Sequence, residues 1–311
     1  MNFSLLKVRD TLGKRPLYKR VLQVLVIGII FLFLARNLYQ NWGKISTYDW
    51  RINYYWLIFS FGLMLVSSFL LALGWNLILR VLGGFLTHRK ALKVFFLAEL
   101  GKYIPGRIWS MVGKVYLCKQ QGIPVGKTSA CVVIQAVIQN VSGVLVFLLS
   151  LVFWKNTEWI GNFYPVFFVI PAGLVLLHPA IMIKGLNFTL KKLKKNPVEL
   201  DLKYRDILGI LLLWCGLWFL SGMVYYFLII SLYPLPLAYS LIMVGIYSIS
   251  GVVAFLSFLT PSGLGVMEGM LAFLLSFYLP LYIATLIALL LRVWRTANDL
   301  ICVAISSRFQ T

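Results

Sequence analysis

Carboxylates are what this sequence has least of. Nine Asp and Glu stand against 29 Lys and Arg, with two His in 311 residues. So few acids and imidazoles leave little for acid–base catalysis or for a metal centre. The motifs that would carry such chemistry are missing as well: there is no Gly-x-Ser-x-Gly, no phosphate-cradling Gly-x-x-x-x-Gly-Lys and no acidic Asp-x-Asp pair. No enzymatic activity, cofactor or metal is therefore expected. The four cysteines, Cys118, Cys131, Cys215 and Cys302, have neither disulfide nor metal-ligand spacing and read as small core residues.

Charge of either sign is sparse. Charged residues make up 12% of the chain, against about 25% in a soluble protein, while 61% are hydrophobic and the mean hydropathy is +0.89. This is the composition of an all-α integral membrane protein. No polar stretch approaches domain size, so residues 1–311 read as a single polytopic membrane domain.

The formal charge of +20 would point to nucleic acid in a soluble protein, but its placement excludes that partner. Basic residues cluster before the first apolar span (Lys7, Arg9, Lys14, Arg15, Lys19, Arg20), at 80–93, at 114–127 and at 184–205. The alternate connections hold only Arg36, Lys44, Arg51 and Lys155. That is the positive-inside bias, and it puts the N-terminus in the cytoplasm. The basic start followed by residues 21–35 resembles a signal peptide; without a small-x-small cleavage site it reads as an uncleaved first span.

Full spans of roughly 20 residues are expected at 18–35, 54–79, 128–154, 163–183, 207–232 and 283–305. Residues 184–206 form a basic cytoplasmic loop, and His178-Pro179 reads as a kink. Two further segments are broken. Residues 91–121 carry Glu99, Lys102, Arg107 and Lys114, and Pro105-Gly106 divides them into halves too short to cross. Residues 237–279 are broken at Pro261-Ser262-Gly263, followed by Gly265 and Glu268. Backbone groups freed inside lipid cost several kcal/mol each unless protein or water satisfies them. Both segments therefore read as re-entrant hairpins, the first from the cytoplasm and the second from outside; a surface amphipathic hairpin is the alternative for the first. That makes six full spans and two hairpins, eight hydrophobic segments in all. Units 54–154 and 207–305 then match with opposite orientation, an inverted repeat of the kind transporters use.

Charges at membrane depth mark the site. Glu99, Lys102, Arg107, Glu268, Arg292, Arg295 and Asp299 would each cost roughly 2.5–3.5 kcal/mol facing lipid unpaired, so they must face one another, water or a ligand. Arg292, Arg295 and Asp299 share one helical face, with Arg295 and Asp299 spaced for a pair. The balance is slightly positive, and the glycine break leaves N–H groups free at the start of a half-helix. Phosphate is the best-matched ligand, bound by Arg107, Arg292 and Arg295 and at the break by Gly263 and Gly265, with Glu268 holding an arginine or meeting a cationic or hydroxyl part of the substrate. Glu99, Lys102 and Asp299 supply supporting ion pairs. Gln135, Gln139 and Ser142 share one inward face, for substrate contact or for interhelical packing. A self-neutralising network that only locks the helices is the alternative reading.

These residues also carry a resemblance. Glu99-Leu100-Gly101-Lys102-Tyr103-Ile104-Pro105-Gly106-Arg107, Gln121-Gly122-Ile123-Pro124, Pro261-Ser262-Gly263-Leu264-Gly265-Val266-Met267-Glu268-Gly269 and Leu291-Arg292 resemble the lysylphosphatidylglycerol synthase transmembrane, or flippase-like, family over nearly the whole chain. The resemblance implies movement of a lipid or lipid-linked substrate in a prokaryotic plasma membrane. It does not imply lipid lysinylation, since the residues in hand include no soluble aminoacyl-transferase. Gln139-Asn140 stand where the family often has Glu-Arg, which puts that ion pair in doubt here.

The expected function is thus a flippase or transporter for an anionic phospholipid, glycolipid or polyprenyl-linked lipid. The alternatives are a non-catalytic membrane subunit that docks a cytoplasmic glycosyltransferase or acyltransferase through its basic loops, and an intramembrane transferase with Glu268 as base. The expected partners are membrane lipids and a membrane or cytoplasmic lipid-modifying enzyme.

Overall fold

The computed structural model describes residues 17–104, 108–154, 177–192, 203–257 and 263–309, with 171, 173 and 175 between them. Among these residues there are helices and no strands. In chain order they are α1 (Leu17–Gln40), a short α2 (Trp42–Ser46), α3 (Tyr54–Val81), α4 (His88–Glu99), α5 (Trp109–Gln120), α6 (Val125–Ser150), α7 (Pro179–Lys192), α8 (Tyr204–Ile230), α9 (Ser240–Leu256), α10 (Val266–Leu275) and α11 (Leu281–Ser307).

Among the described residues four segments are long and apolar enough to cross a membrane: Tyr54–Val81, Val125–Phe153, Tyr204–Ile230 and Leu237–Leu256. α11 is as long as α8, but Arg292, Arg295 and Asp299 interrupt its apolar sequence. The expected first span lies within α1, whereas the expected span at 163–183 falls largely outside the described residues. At its far end the helix breaks at Leu177 and His178, and α7 begins with Pro179, whose fixed φ suits a first helical position. α7 takes in Lys184 to Lys192, so that part of the expected basic loop is helical.

α3 and α8 run antiparallel through the centre, and three contacts set their register. The Asn53 N–H donates to the Ser231 carbonyl at 2.8 Å, joining the start of α3 to the end of α8. Midway, the Ser67 and Ser221 hydroxyls are 3.0 Å apart. Nearer the other end, a Cβ on Gly74 would lie 3.0 Å from the Trp214 ring. Glycine is what lets the indole approach α3 this closely.

Both broken segments fold back on themselves. α4 and α5 pack together after a 3₁₀ turn at Leu100–Tyr103, and a Cβ on Gly101 would come within 2.7 Å of the Trp109–Ser110 backbone. Each arm has 12 residues, a rise of about 18 Å against a core of about 30 Å. The second pair is unequal. Leu237–Leu256 is 20 residues long, while α10 has 10. Its turn needs positive φ at Gly263 (68°) and Gly265 (79°), and a Cβ on Gly263 would meet Ala254 at 2.8 Å.

The main packing pairs among eight of these helices map onto one another when α3, α4, α5 and α6 are exchanged for α8, α9, α10 and α11. α3–α4 becomes α8–α9, α4–α11 becomes α9–α6, α5–α6 becomes α10–α11, and α3–α8 becomes itself.

Two apolar cores occupy the two ends of the bundle. One gathers Trp75, Leu79, Leu92, Cys131, Ile207 and Trp214. The other gathers Tyr225, Ile229, Met243, Leu271, Ile283 and Leu291. In lipid, which is as apolar as these side chains, close van der Waals packing rather than transfer from water holds each core together. Between the cores the helices turn polar side chains inward.

Candidate functional site

That polar layer encloses a cavity of about 180 Å³. Ser67 and Ser68 come from α3, Glu99 and Lys102 from the first hairpin, Gln135 and Gln139 from α6, Ser221 from α8, Tyr247 from α9, and Arg295, Asn298 and Asp299 from α11. Most lie near the middle of their helices, so the cavity sits at mid-length in the bundle.

A chain of alternating charges runs along one wall. Lys114 Nζ lies 3.3 Å from Glu99 Oε2, and Lys102 Nζ lies 4.0 Å from Glu99 Oε1 and 2.7 Å from Asp299 Oδ2. The Tyr103 hydroxyl donates to the same Asp299 oxygen. Lys114 is 5% exposed. Its ammonium stands 4.1 Å from the Phe95 ring centroid and 5.9 Å from that of Trp75, and donates to Gln135 Oε1 at 3.4 Å. Aromatic faces, a carboxylate and an amide oxygen together offset the desolvation of this cation.

A second ion pair lies beside the cavity. Glu268, 2% exposed, faces Arg292 with Oε1 to Nη1 at 3.4 Å. Its Oε2 accepts from the Gly265 N–H at 2.7 Å, the backward half of a capping box. The anion at this helix N-terminus is thus the protein's own carboxylate.

Of the residues read as substrate-binding, Arg295 and Gln139 line the cavity. Arg292 and Glu268 pair with each other at its edge, Gly263 and Gly265 shape the turn into α10, and Arg107 lies outside the described residues. The three supporting residues, Glu99, Lys102 and Asp299, are ion-paired. One pairing differs from the spacing rule. Asp299 has Lys102 and Tyr103 as partners, and no Arg295–Asp299 pair within 4.0 Å occurs among the described residues. An acid C-terminal to its base is the weaker i, i+4 order, and the hairpin tip delivers a closer ammonium.

The sequence reading missed Lys114 as a site residue, because it opens a run of basic residues expected in a cytoplasmic connection. The available signal was its place among the apolar residues Val112, Val115 and Leu117. Asn298, which is 3% exposed and donates to Ser68 Oγ at 2.8 Å, was missed too. The inward face of α6 was read correctly: Gln135 and Ser142 are buried and Gln139 reaches the cavity.

Among the described residues, four cations (Lys102, Lys114, Arg292, Arg295) meet three carboxylates (Glu99, Glu268, Asp299). Each carboxylate has a basic partner. Arg295 has no carboxylate within 4.0 Å among the described residues, and its Nη1 contacts the Met267 sulfur. Among the described residues the site thus counts one more positive than negative charge, and Arg295, which lines the cavity, has Tyr247, Asp299 and Glu268 as electrostatic neighbours beyond ion-pair distance.

Helices fit to span a membrane, with a charged and polar layer buried between apolar ends, define a multi-pass membrane protein with an internal polar site. The family described as Lysylphosphatidylglycerol synthase TM region matches residues 20–298, and the chain belongs to it. That membership links the protein to lipid handling. No curated protein matches the chain.

Proposed function

We propose that this protein is a flippase: it moves a lipid with an anionic headgroup between leaflets, the headgroup passing through the mid-length cavity while the acyl chains stay in the bilayer. Arg295, which lines the cavity wall with no carboxylate within 4.0 Å among the described residues, is the observation that carries this reading. A fixed guanidinium in a low-dielectric, hydrogen-bonding cavity favours phosphate.

Exposure around the cavity supports a lipid over a free solute. Glu99, Lys102 and Asp299 retain 28, 20 and 17% side-chain exposure. Ile104 and Leu300 beside them are 50 and 58% exposed, an apolar flank along which chains can lie. The interchangeable packing pairs support an inverted repeat, and the short arms α4, α5 and α10 support re-entrant hairpins. Rocking of one unit against the other would expose the cavity alternately to each side. The reading places the protein in a prokaryotic plasma membrane with its N-terminus in the cytoplasm, acting as a transporter and not as an enzyme.

The test is a leaflet-resolved assay with purified protein in proteoliposomes. Protein-dependent translocation of a labelled anionic phospholipid, reduced about tenfold by Arg295→Gln, is the expected result. Vesicles that stay inert with correctly folded protein would overturn the proposal in favour of a docking subunit for a cytoplasmic lipid-modifying enzyme.

A further inference from the structure

We infer that Asp299 is the moving part of an ion-pair switch: it exchanges the Lys102 ammonium of the first hairpin for the Arg295 guanidinium of its own helix, and that exchange opens the seam between α4 and α11. This inference rests on the flippase reading and deepens it, by naming the movement that opens the cavity.

In the structure the switch is closed. Lys102 Nζ reaches across the seam to Asp299 Oδ2 at 2.7 Å, and the Tyr103 hydroxyl donates to the same oxygen. Both donors stand on the 3₁₀ turn Leu100–Tyr103 at the tip of the hairpin, and their acceptor lies in the second half of α11. Nearer the start of α4, Lys93 donates to the Phe309 carbonyl, just past the end of α11, at 3.3 Å. Two polar ties thus hold α4 along α11. The Lys102 and Asp299 side chains are 20 and 17% exposed, so the tip contact lies at the flank of the bundle rather than in its core.

Each charge of the closed pair has a second partner on its own side of the seam. Glu99 Oε1, on the hairpin, already stands 4.0 Å from the Lys102 ammonium. Arg295, one turn before Asp299 on α11, lines the same cavity and is an electrostatic neighbour of that carboxylate beyond ion-pair distance. Their i, i+4 spacing lets guanidinium and carboxylate meet along one helical face. Parting the tip from α11 therefore replaces one pair across the seam by two pairs within its walls, and strands neither charge at membrane depth. The acid follows its base in the chain, the weaker order for such a pair, so the switch rests closed.

The corresponding packing pair, α6 with α9, has no such alternative. α9 carries no charged residue, and a Cβ on Gly143 of α6 would stand 2.6 Å from Val252 Cγ2 of α9. Close packing through glycine has one arrangement, whereas the Asp299 carboxylate has two. The polar seam is the one that moves.

Hydrogen–deuterium exchange on the purified full chain in lipid nanodiscs reads the opening, followed at residues 100–104 with α10 as control. Lys102→Met removes the closed pair while Glu99 keeps Lys114 at 3.3 Å; it should speed exchange at the tip about tenfold and leave α10 unchanged. Arg295→Gln removes the open-state partner and should slow exchange at the tip, an opposite sign that simple loss of packing would not produce. Arg107, outside the described residues of the same hairpin, is a second control: acceleration by Arg107→Gln with none by Lys102→Met would overturn the inference. So would acceleration by Arg295→Gln.

Thermal unfolding of the same chains tests the exchange of partners. Arg295→Gln alone should be nearly neutral, and Lys102→Met with Arg295→Gln should lose more than the sum of the two single shifts, because Asp299 then lacks both cations. Lys102→Met with Arg295→Lys keeps a cation beside Asp299 and should not show that excess. A Gln double variant too unstable to purify, with its Lys counterpart intact, is the same result. Additive losses, or an excess that lysine does not remove, would overturn the inference. Neither readout involves transport, so vesicles that move no lipid would sink the flippase reading and leave the switch standing, and a silent switch would leave that reading intact.

Discussion

Glu268 places its two carboxylate oxygens on different partners: Oε2 accepts from the Gly265 N–H at 2.7 Å, and Oε1 faces Arg292 Nη1 at 3.4 Å. One side chain thus closes the turn into α10 and neutralises a cation on α11. Glu268→Gln keeps an oxygen for the Gly265 N–H but leaves Arg292, with 17% side-chain exposure, without a counter-charge. Removing one partner of a buried pair costs about 3–5 kcal/mol. The double variant with Arg292→Gln should be less destabilised than the sum of the two singles. Unfolding of all four proteins in detergent gives the coupling; strict additivity would show that the pair does not interact.

Arg295, one turn further along α11, should respond in the opposite way. It has no carboxylate partner within 4.0 Å among the described residues, so Arg295→Gln strands no buried charge and should change stability by less than about 1 kcal/mol. Its effect should fall on lipid translocation, reduced about tenfold. Melting temperature and leaflet assay on the same preparation separate the two arginines. A melting loss as large as that of Arg292→Gln would assign Arg295 to the structural network.

These two arginines show where the sequence was readable and where it was not. The Glu268–Arg292 pair follows from a helix break next to an acid and from a lone basic face on the last helix, and α6 announces its inward face by Gln135, Gln139 and Ser142 at helical spacing. Asp299 misleads because local spacing offers Arg295, while its partners, Lys102 and Tyr103, arrive from a hairpin far away in the chain. Lys114 is hidden for the same reason. Its cage is made of Trp75, Phe95 and Gln135, and only the tertiary fold brings those three elements together. Helix lengths and hydropathy reveal three of the expected spans, at 54–79, 128–154 and 207–232, among the described residues; which charge meets which depends on packing that no local pattern encodes.

Lys114 gives a third prediction. Lys114→Met preserves the apolar stem against Phe95 and Trp75 but leaves Glu99 with only the Lys102 ammonium, 4.0 Å away. A loss of about 3 kcal/mol is expected, with much of it restored by Glu99→Gln in the same chain. Chemical unfolding measures both. A single variant as stable as the parent would mean that Glu99 is satisfied elsewhere.

The exposed pair Arg51–Asp49 supplies a contrast at similar distance. It closes to 2.7 Å, yet its side chains are 88 and 75% exposed. Water and salt screen such a pair, so Asp49→Asn should shift stability by no more than about 0.5 kcal/mol. A large loss in the same unfolding assay would place this loop in a packed interface.

Two glycines at helix crossings separate rigid from yielding contacts. A Cβ on Gly222 of α8 would lie 2.5 Å from the Val244 Cα of α9, so the obstacle is backbone and the helices must move apart. A Cβ on Gly245 of α9 would instead strike the Ser150 side chain of α6, whose hydroxyl already turns back to the Phe147 carbonyl. Overpacking of this kind costs about 1–3 kcal/mol. Gly222→Ala should fall at the upper end, with no single side-chain truncation able to rescue it. Gly245→Ala should be largely rescued by Ser150→Gly and not by Ser150→Ala, because the Ser150 Cβ itself would stand 2.6 Å from the new methyl. Melting temperatures of these variants decide it. If Ser150→Gly fails to restore Gly245→Ala, the close approach of α6 and α9 is set by their backbones rather than by that one side chain.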